Sequence, residues 1–200
     1  MSRSIRFTTA ACELGHVLVA AGERGIGHLR LGDDPAELVR GLRAALPAAS
    51  PAEPGDPLES WCAEIVRCID DWGGRGAPPE LPLALRGTPF QIRVWDQLQR
   101  IPAGEVRTYG ELAREVGQPG GARAVASACA RNPVAILVPC HRVVPNGGGC
   151  GGYRWGRWRK QRLLERECGA KDVADGPAGT SRTPNRADAG RVPRALARPK

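Results

Sequence analysis

Residues 108–132 read TYGELAREVGQPGGARAVASACARN, and the folding of this stretch decides the architecture of the C-terminal half. Thr108 can cap a short helix predicted over Tyr109–Val116. Gly117-Gln118-Pro119-Gly120 breaks it, and a second helix is predicted from about Gly121 to Arg131, ending before Asn132-Pro133. Helix, tight glycine-containing turn, helix is the outline of a helix-turn-helix. After Arg123 the second helix carries only small side chains: Ala, Val, Ala, Ser, Ala, Cys, Ala. Two readings stand. Periodicity alone favours a helix packed closely in a core. A slim helix also fits a narrow groove in nucleic acid. It lacks the Asn, Gln and multiple Arg side chains of a base-reading helix, so such a contact would carry little sequence preference.

Outward from this motif the texture changes twice. Upstream, Thr88 and Pro89 open another predicted helix with Phe90, Val94 and Leu98 as its buried stripe, and Ile101-Pro102-Ala103-Gly104 is a turn. Before Gly87 the chain reads as α+β. Ser4–Ala10, His16–Ala21 and Gly25–Leu31 are strand-like runs separated by turn signals. Asp33 or Asp34 and Pro35 start a helix with Leu38, Leu42 and Leu46 on one face. Residues 47–57 read as a loop, Leu58–Trp72 as a helix with Trp61, Ile65 and Ile69 inward, Gly73–Glu80 as a linker, and Leu81–Leu85 as extended. Downstream, a last helix is predicted over Gly156–Glu167, and the chain from about Lys171 loses apolar periodicity and reads as disordered. The expected organisation is an N-terminal α+β domain at 1–86, a mainly helical domain at 87–169 and a basic tail at 170–200.

The 200 residues carry a formal net charge of +8, almost all of the positive charge on arginine, with lysine only at 160, 171 and 200. That balance points to a polyanion, nucleic acid before a membrane surface. A high-GC genome, visible in the abundant Ala, Arg, Gly and Pro, accounts for part of the excess. Seven cysteines, at 12, 62, 68, 129, 140, 150 and 168, form no CxxC pair, which argues against a disulfide framework or a common zinc motif. Cys12, His16, His28 and Cys62 lack zinc-motif spacing, and no metal or cofactor is expected. No signal-like or membrane-length apolar run is present. The expected location is intracellular: cytoplasmic and nucleoid-associated in a bacterium, nuclear in a eukaryote.

The chemistry concentrates in LVPCHRVVP, residues 137–145. A thiol must become a thiolate to attack, and an adjacent base, itself oriented by a third group, accomplishes this. His141 follows Cys140 directly. Adjacent side chains in an extended segment point apart, so a water-mediated relay is easier to build than a direct bond. The orienting carboxylate is expected on the last helix, at Glu165 or Glu167. A buried cysteine beside a structural histidine is the plain alternative.

PCHRV at 139–143, with Arg131-Asn132-Pro133 upstream and GYRWG (152–156) then RKQRLLERE (159–167) downstream, resembles the O6-alkylguanine-DNA alkyltransferases, also called methylated-DNA–protein-cysteine methyltransferases. The likeness extends to FQIRVWDQLQRIPAGEVRTYGELA (90–113), RAVASACA (123–130) and ACELGHVLVAAGERG (11–25), and within the family it is most similar to the C-terminal domain of the bacterial Ada regulators. The resemblance implies an α+β fold, with a small ribonuclease H-like sheet-and-helix domain before a helix-turn-helix domain. It implies single-turnover transfer of an alkyl group from O6-alkylguanine, and from O4-alkylthymine, to Cys140. His141 would act as base through a water, Glu167 would orient it, and Asn132 would tie the helix-turn-helix to the reactive turn. Tyr109, Arg123, Ala124 and Ser127 would meet DNA, with Arg123 filling the space of the extruded nucleotide. Val143, Tyr153 and Arg154 would wall the base pocket. The partner would be double-stranded DNA approached through its minor groove by a monomer, with no membrane involved. Direct transcriptional activation by this chain alone is not expected. The loop NGGGCGG (146–152) is richer in glycine than its relatives, which predicts a looser pocket wall. Competing functions are a non-enzymatic lesion sensor, which the presence of Cys140 disfavours, and a cysteine hydrolase.

Overall fold

A computed structural model describes residues 5–71 and 78–174, with side chains through Cys168. Residues 1–4, 72–77 and 175–200 lie outside it, and with them most of the predicted linker and tail. Three strands, β1 (Arg6–Cys12), β2 (Gly15–Gly22) and β3 (Gly25–Gly32), form an antiparallel meander. A short β4 (Ser50–Pro51), inside the segment expected to be a loop, adds to β1 in parallel, giving the order β3-β2-β1-β4. Two helices sandwich this sheet. Helix α1 (Pro35–Ala45) is capped by Asp34, whose Oδ1 accepts the Ala36 N–H at 2.8 Å. It covers Phe7, Leu18 and Ala20 with Leu42. Helix α2 (Pro57–Asp70), capped by Asp56, buries Leu58, Cys62, Ile65 and Ile69 against Val17, Val19, Ala21, Leu29 and Leu31. Covered on both faces, β2 is apolar at successive positions rather than alternate ones, which is why VLVAA shows no alternation in the sequence.

The free edge of β3 is closed by two distant segments. The Ile26 N–H donates to Pro82 O at 2.7 Å and Ile26 O accepts from Ala84 N–H at 2.8 Å, so the predicted extended piece 81–85 docks here. Further along, the Leu29 N–H donates to Pro133 O at 3.0 Å and Leu29 O accepts from Ala135 N–H at 2.9 Å. Gly25 makes the first contact possible: its φ is 118°, and a Cβ there would lie 2.3 Å from Pro82 O.

The second half is helical. Thr88 and Gln91 form a reciprocal capping box at the start of α3 (Pro89–Gln99), and Thr108 and Glu111 form another at α4 (Tyr109–Glu115). Phe90, expected in the core, is only half-buried beside Arg93. Trp95 takes the deep position with Val94 and Leu98, and its Nε1–H donates to Ala128 O at 3.0 Å, pinning α3 to α5 (Ala122–Ala130). The last helix, α6, runs from Arg157 to Ala174, beyond the predicted end at Glu167 and into the start of the predicted tail. Apolar side chains of the sheet, of α2 to α5 and of residues 134–143 share one continuous core. The 86/87 boundary thus separates two textures that pack together.

Candidate active site

The chain leaves α5 at Asn132 and reaches Cys140 through two unusual turns. Ile136 has φ 66° and is fully buried, and the Leu137 N–H donates to Ala135 O at 2.6 Å across it, a γ-turn of the rare positive-φ kind. Pro139, at φ −80° and ψ 61°, centres an inverse γ-turn in which Cys140 N–H donates to Val138 O at 2.8 Å. Proline prefers that φ, so Pro139 presents Cys140 in a preset direction. Cys140–Arg142 then make one turn of 3-10 helix. The reactive segment is therefore curled, where an extended one was expected. A β-branched residue at positive φ costs about 1–3 kcal/mol and persists only where its surroundings hold it. Here they do: Asn132, fully buried, donates from Nδ2 to Val138 O at 2.7 Å and to Cys140 Sγ at 3.2 Å, while its Oδ1 accepts from Val134 N–H at 3.0 Å.

Of the two candidate carboxylates, Glu167 reaches the imidazole. Its Oε1 is 2.9 Å from His141 Nε2. Glu165 is engaged with Gln161 at 3.0 Å on the half-exposed side of α6. Glu167 also binds Arg142, whose Nη2 and Nε donate to it at 2.8 and 3.1 Å, and it accepts the Gly104 N–H at 3.2 Å. Arg142 Nη1 holds Ile101 O at 2.5 Å. Burial alone would raise the Glu167 pKa, but His141 and Arg142 outweigh it and hold the carboxyl down at about 2. Burial lowers the His141 pKa against the pull of Glu167, leaving a neutral imidazole able to take a proton. Burial pushes the Cys140 thiol up to about 11, opposed by the Asn132 donor and by Lys160 and Arg154. The sulfur is thus protonated at rest.

Cys140 lines a cavity of about 420 Å3 with Tyr109, Ala126, Cys129, Ala130, Gly152, Tyr153 and Arg154. Tyr109 is half-buried, its pKa pushed up to about 12 by burial and then by the three nearby thiols Cys129, Cys140 and Cys150, so the phenol stays a donor. Tyr153 meets His141 edge-on, ring centroids 6.4 Å apart, and its buried hydroxyl has no hydrogen-bond partner among the described residues. Val143 sits in β6 (Val143–Val144), paired in parallel with β5 (Arg107–Thr108). Arg123, Ala124 and Ser127 do not enter this cavity; they lie exposed on the outer face of α5, where the Arg131 guanidinium binds the Ser127 hydroxyl. Val125, Ala128 and Cys129 fill the inner face, so the core-packing and slim-surface readings hold for opposite sides of one helix.

Three buried cations escaped the sequence reading: Arg142, Arg159 and Lys160. Lys160 is fully buried, with Nζ donating to Val143 O at 2.6 Å and Gly152 O at 3.4 Å. Lys160 ties β6 and the Gly152 side of the cavity to α6 and places a charge near the thiols. The signal was its spacing, seven residues before Glu167 on one helix, which puts both on the same face. Cys150 is buried against Val144 and Leu164. In its loop Gly151 (φ 70°) packs on Pro145, whereas a Cβ at Gly147, Gly148, Gly149 or Gly152 would meet open space. Among the described residues no three His, Cys, Asp or Glu side chains converge to hold a metal, and no helix is long and apolar enough to cross a membrane.

Residues 89–169 match the family model for the 6-O-methylguanine DNA methyltransferase DNA-binding domain. The solved O6-methylguanine methyltransferase of Mycobacterium tuberculosis superposes with a TM-score of 0.69 at 35% identity, over 88% of this chain and 96% of that one. The chain belongs to the O6-methylguanine-DNA methyltransferase family. A DNA-bound structure of the M. tuberculosis protein matches this family member with a TM-score of 0.66 at 34% identity, over 84% of this chain and 94% of that one. Among curated proteins, the bifunctional transcriptional activator/DNA repair enzyme Ada of Escherichia coli is 46% identical over 164 residues, 82% of this methyltransferase-family chain and 46% of Ada. A methylated-DNA–protein-cysteine methyltransferase of Mycolicibacterium paratuberculosis is 54% identical over 88 residues, 44% of this chain and 53% of its own length. The chain spans about half the length of these curated relatives.

Proposed function

We propose that this chain repairs DNA by moving the alkyl group of O6-alkylguanine, and of O4-alkylthymine, onto its own Cys140. One observation carries the reading: a cavity-lining thiol held by Asn132, next to an imidazole whose far nitrogen is bound to a buried carboxylate. In the proposed reaction His141 withdraws the thiol proton through a water, and Glu167 keeps the imidazole oriented and stabilises its charged form. The sulfur attacks the alkyl carbon as the carbon–O6 bond breaks, and that bond's electron pair stays on the purine. The product thioether has no good leaving group, so each molecule acts once. Asn132 and Pro139 supply the fixed approach that such a displacement requires.

The O6 atom of a stacked guanine is out of reach of a buried sulfur, so the nucleotide must swing out, at a cost of a few kcal/mol. In this proposal α4 and α5 act as a helix-turn-helix whose small-residue face, Ala124 and Ser127 included, lies in the minor groove. Arg123 occupies the gap, Tyr109 meets the backbone and the base, and Val143, Tyr153 and Arg154 enclose the flipped guanine. The N-terminal sheet and helices are assigned to the ribonuclease H-like type, and the active species is a monomer. Each molecule that reacts with a duplex bearing one O6-methylguanine should gain one methyl mass on the Cys140 peptide, and Cys140→Ala should gain none. Tight lesion binding without a mass change would favour a sensor instead.

A further inference from the structure

On β3 the side chains of Leu29 and Leu31 enter the core, so His28 and Arg30 stand together on the other face. Both are half-buried, and Arg30 Nη1 lies against Gly41 of α1. His28 also lines a recess of about 150 Å3 whose rim includes Arg24, Arg86, Ala84 and Pro133, with Glu23 the only acid. Burial, then the guanidiniums of Arg30 and Arg154, pushes the His28 imidazole down to about 4. Burial and Arg154 likewise lower Arg30. Arg154 therefore stands near both groups while also lining the Cys140 cavity. Among the described residues Arg24, Arg30, Arg86 and Arg154 have no salt-bridge partner, although other arginines pair with nearby acids. Collecting like charges beside partly buried backbone is unfavourable unless an anion joins them. The place is also specific: β3 is hydrogen-bonded to residues 133 and 135, directly after Asn132.

We infer that Arg30, Arg24, Arg86 and His28 form, with Arg154, a second phosphate-binding site, which takes the backbone of the lesion-bearing strand as it leaves the mouth of the Cys140 cavity. The N-terminal sheet thus grips DNA on the side of the pocket away from the exposed face of α5. Planar guanidiniums suit phosphodiester oxygens, and the neutral His28 imidazole supplies a further donor. The inference rests on the repair reading and deepens it by adding a contact.

The test uses the full chain and Arg30→Gln/Arg86→Gln. First, the parent is reacted with an O6-methylguanine duplex; absence of a methyl gain on the Cys140 peptide would overturn the repair reading itself. Binding to an O6-methylguanine duplex is then measured over a salt series for parent and variant. Expected are an affinity about tenfold weaker at low salt, and a log K against log salt slope shallower by about two, since each lost phosphate contact removes close to one. Benzyl transfer from the free base should remain at the parent rate, and Arg30→Lys/Arg86→Lys should restore most of the slope. A Gln variant with the parent's duplex affinity and slope would overturn the site. So would equal losses on duplex and free base, because they would mean damage to the pocket.

Discussion

At the scale of single residues, Glu167 has the most connections in the site. It binds His141, Arg142 and the Gly104 N–H while 1% exposed. Glu167→Gln leaves the Arg142 guanidinium buried without a counter-charge, which should cost about 3–5 kcal/mol in denaturant unfolding. Single-turnover alkyl transfer should slow by about a hundredfold or more as the base loses its orientation and charge support. The folded carboxyl sits at about 2 against an ordinary 4.5, so its stabilisation is fully present above 4.5 and disappears as the pH falls towards 2. A stability-against-pH curve of the parent should show that loss, and the curve of the Gln variant should not. Lys160 makes a different prediction. Lys160→Met keeps the length of the side chain but removes the cation near Cys140 and the donor to Val143 O. Losing the bond and losing a desolvated charge oppose each other, so stability should change by less than about 1.5 kcal/mol. The pH profile of alkylation at Cys140 should nevertheless move upward, because the thiolate has lost a favourable neighbour.

At the scale of elements, α5 shows how one helix serves two surfaces. Its inner face is locked by the Trp95 indole on Ala128 O and by Val125 and Cys129, and its outer face is left slim with Arg123 at the N-terminal end. Arg123→Ala should leave folding and reaction with free O6-benzylguanine unchanged, and slow repair of duplex DNA by about tenfold or more, because only duplex requires the vacated space to be filled. Rate measurements on both substrates check this, and equal losses would remove Arg123 from that role. The curled segment 133–142 is the other telling element. Pro139 has its φ preset by its own ring, but the γ-turn at Ile136 could not be foreseen, since nothing about isoleucine announces positive φ. That conformation follows from burial and from Asn132, which are tertiary facts.

At the scale of the whole molecule, the sheet and the site are coupled through the edge of β3. Residues 82–84 and 133–135 both complete that edge, so the segment leading to Cys140 is braced by a strand more than a hundred positions away. Gly25→Ala would force a side chain into Pro82 O at a positive φ, and should destabilise the fold by more than about 1 kcal/mol. The effect should appear in thermal unfolding, and hydrogen exchange should quicken at Ile26 and Ala84.

Local chemistry made much legible in advance. The capping residues Asp34, Thr88 and Thr108, the strand and helix alternation and the Cys-His pair are written in near-neighbour patterns, where steric preference and hydrogen bonding act within a few positions. The burial of Arg142 and Lys160, the docking of 81–85 on β3 and the approach of Arg154 to His28 and Arg30 were decided only by the tertiary structure. Each depends on which groups from distant parts of the chain come to share one water-poor space, and there the strength of a charge or hydrogen bond is set by the neighbours that folding brings.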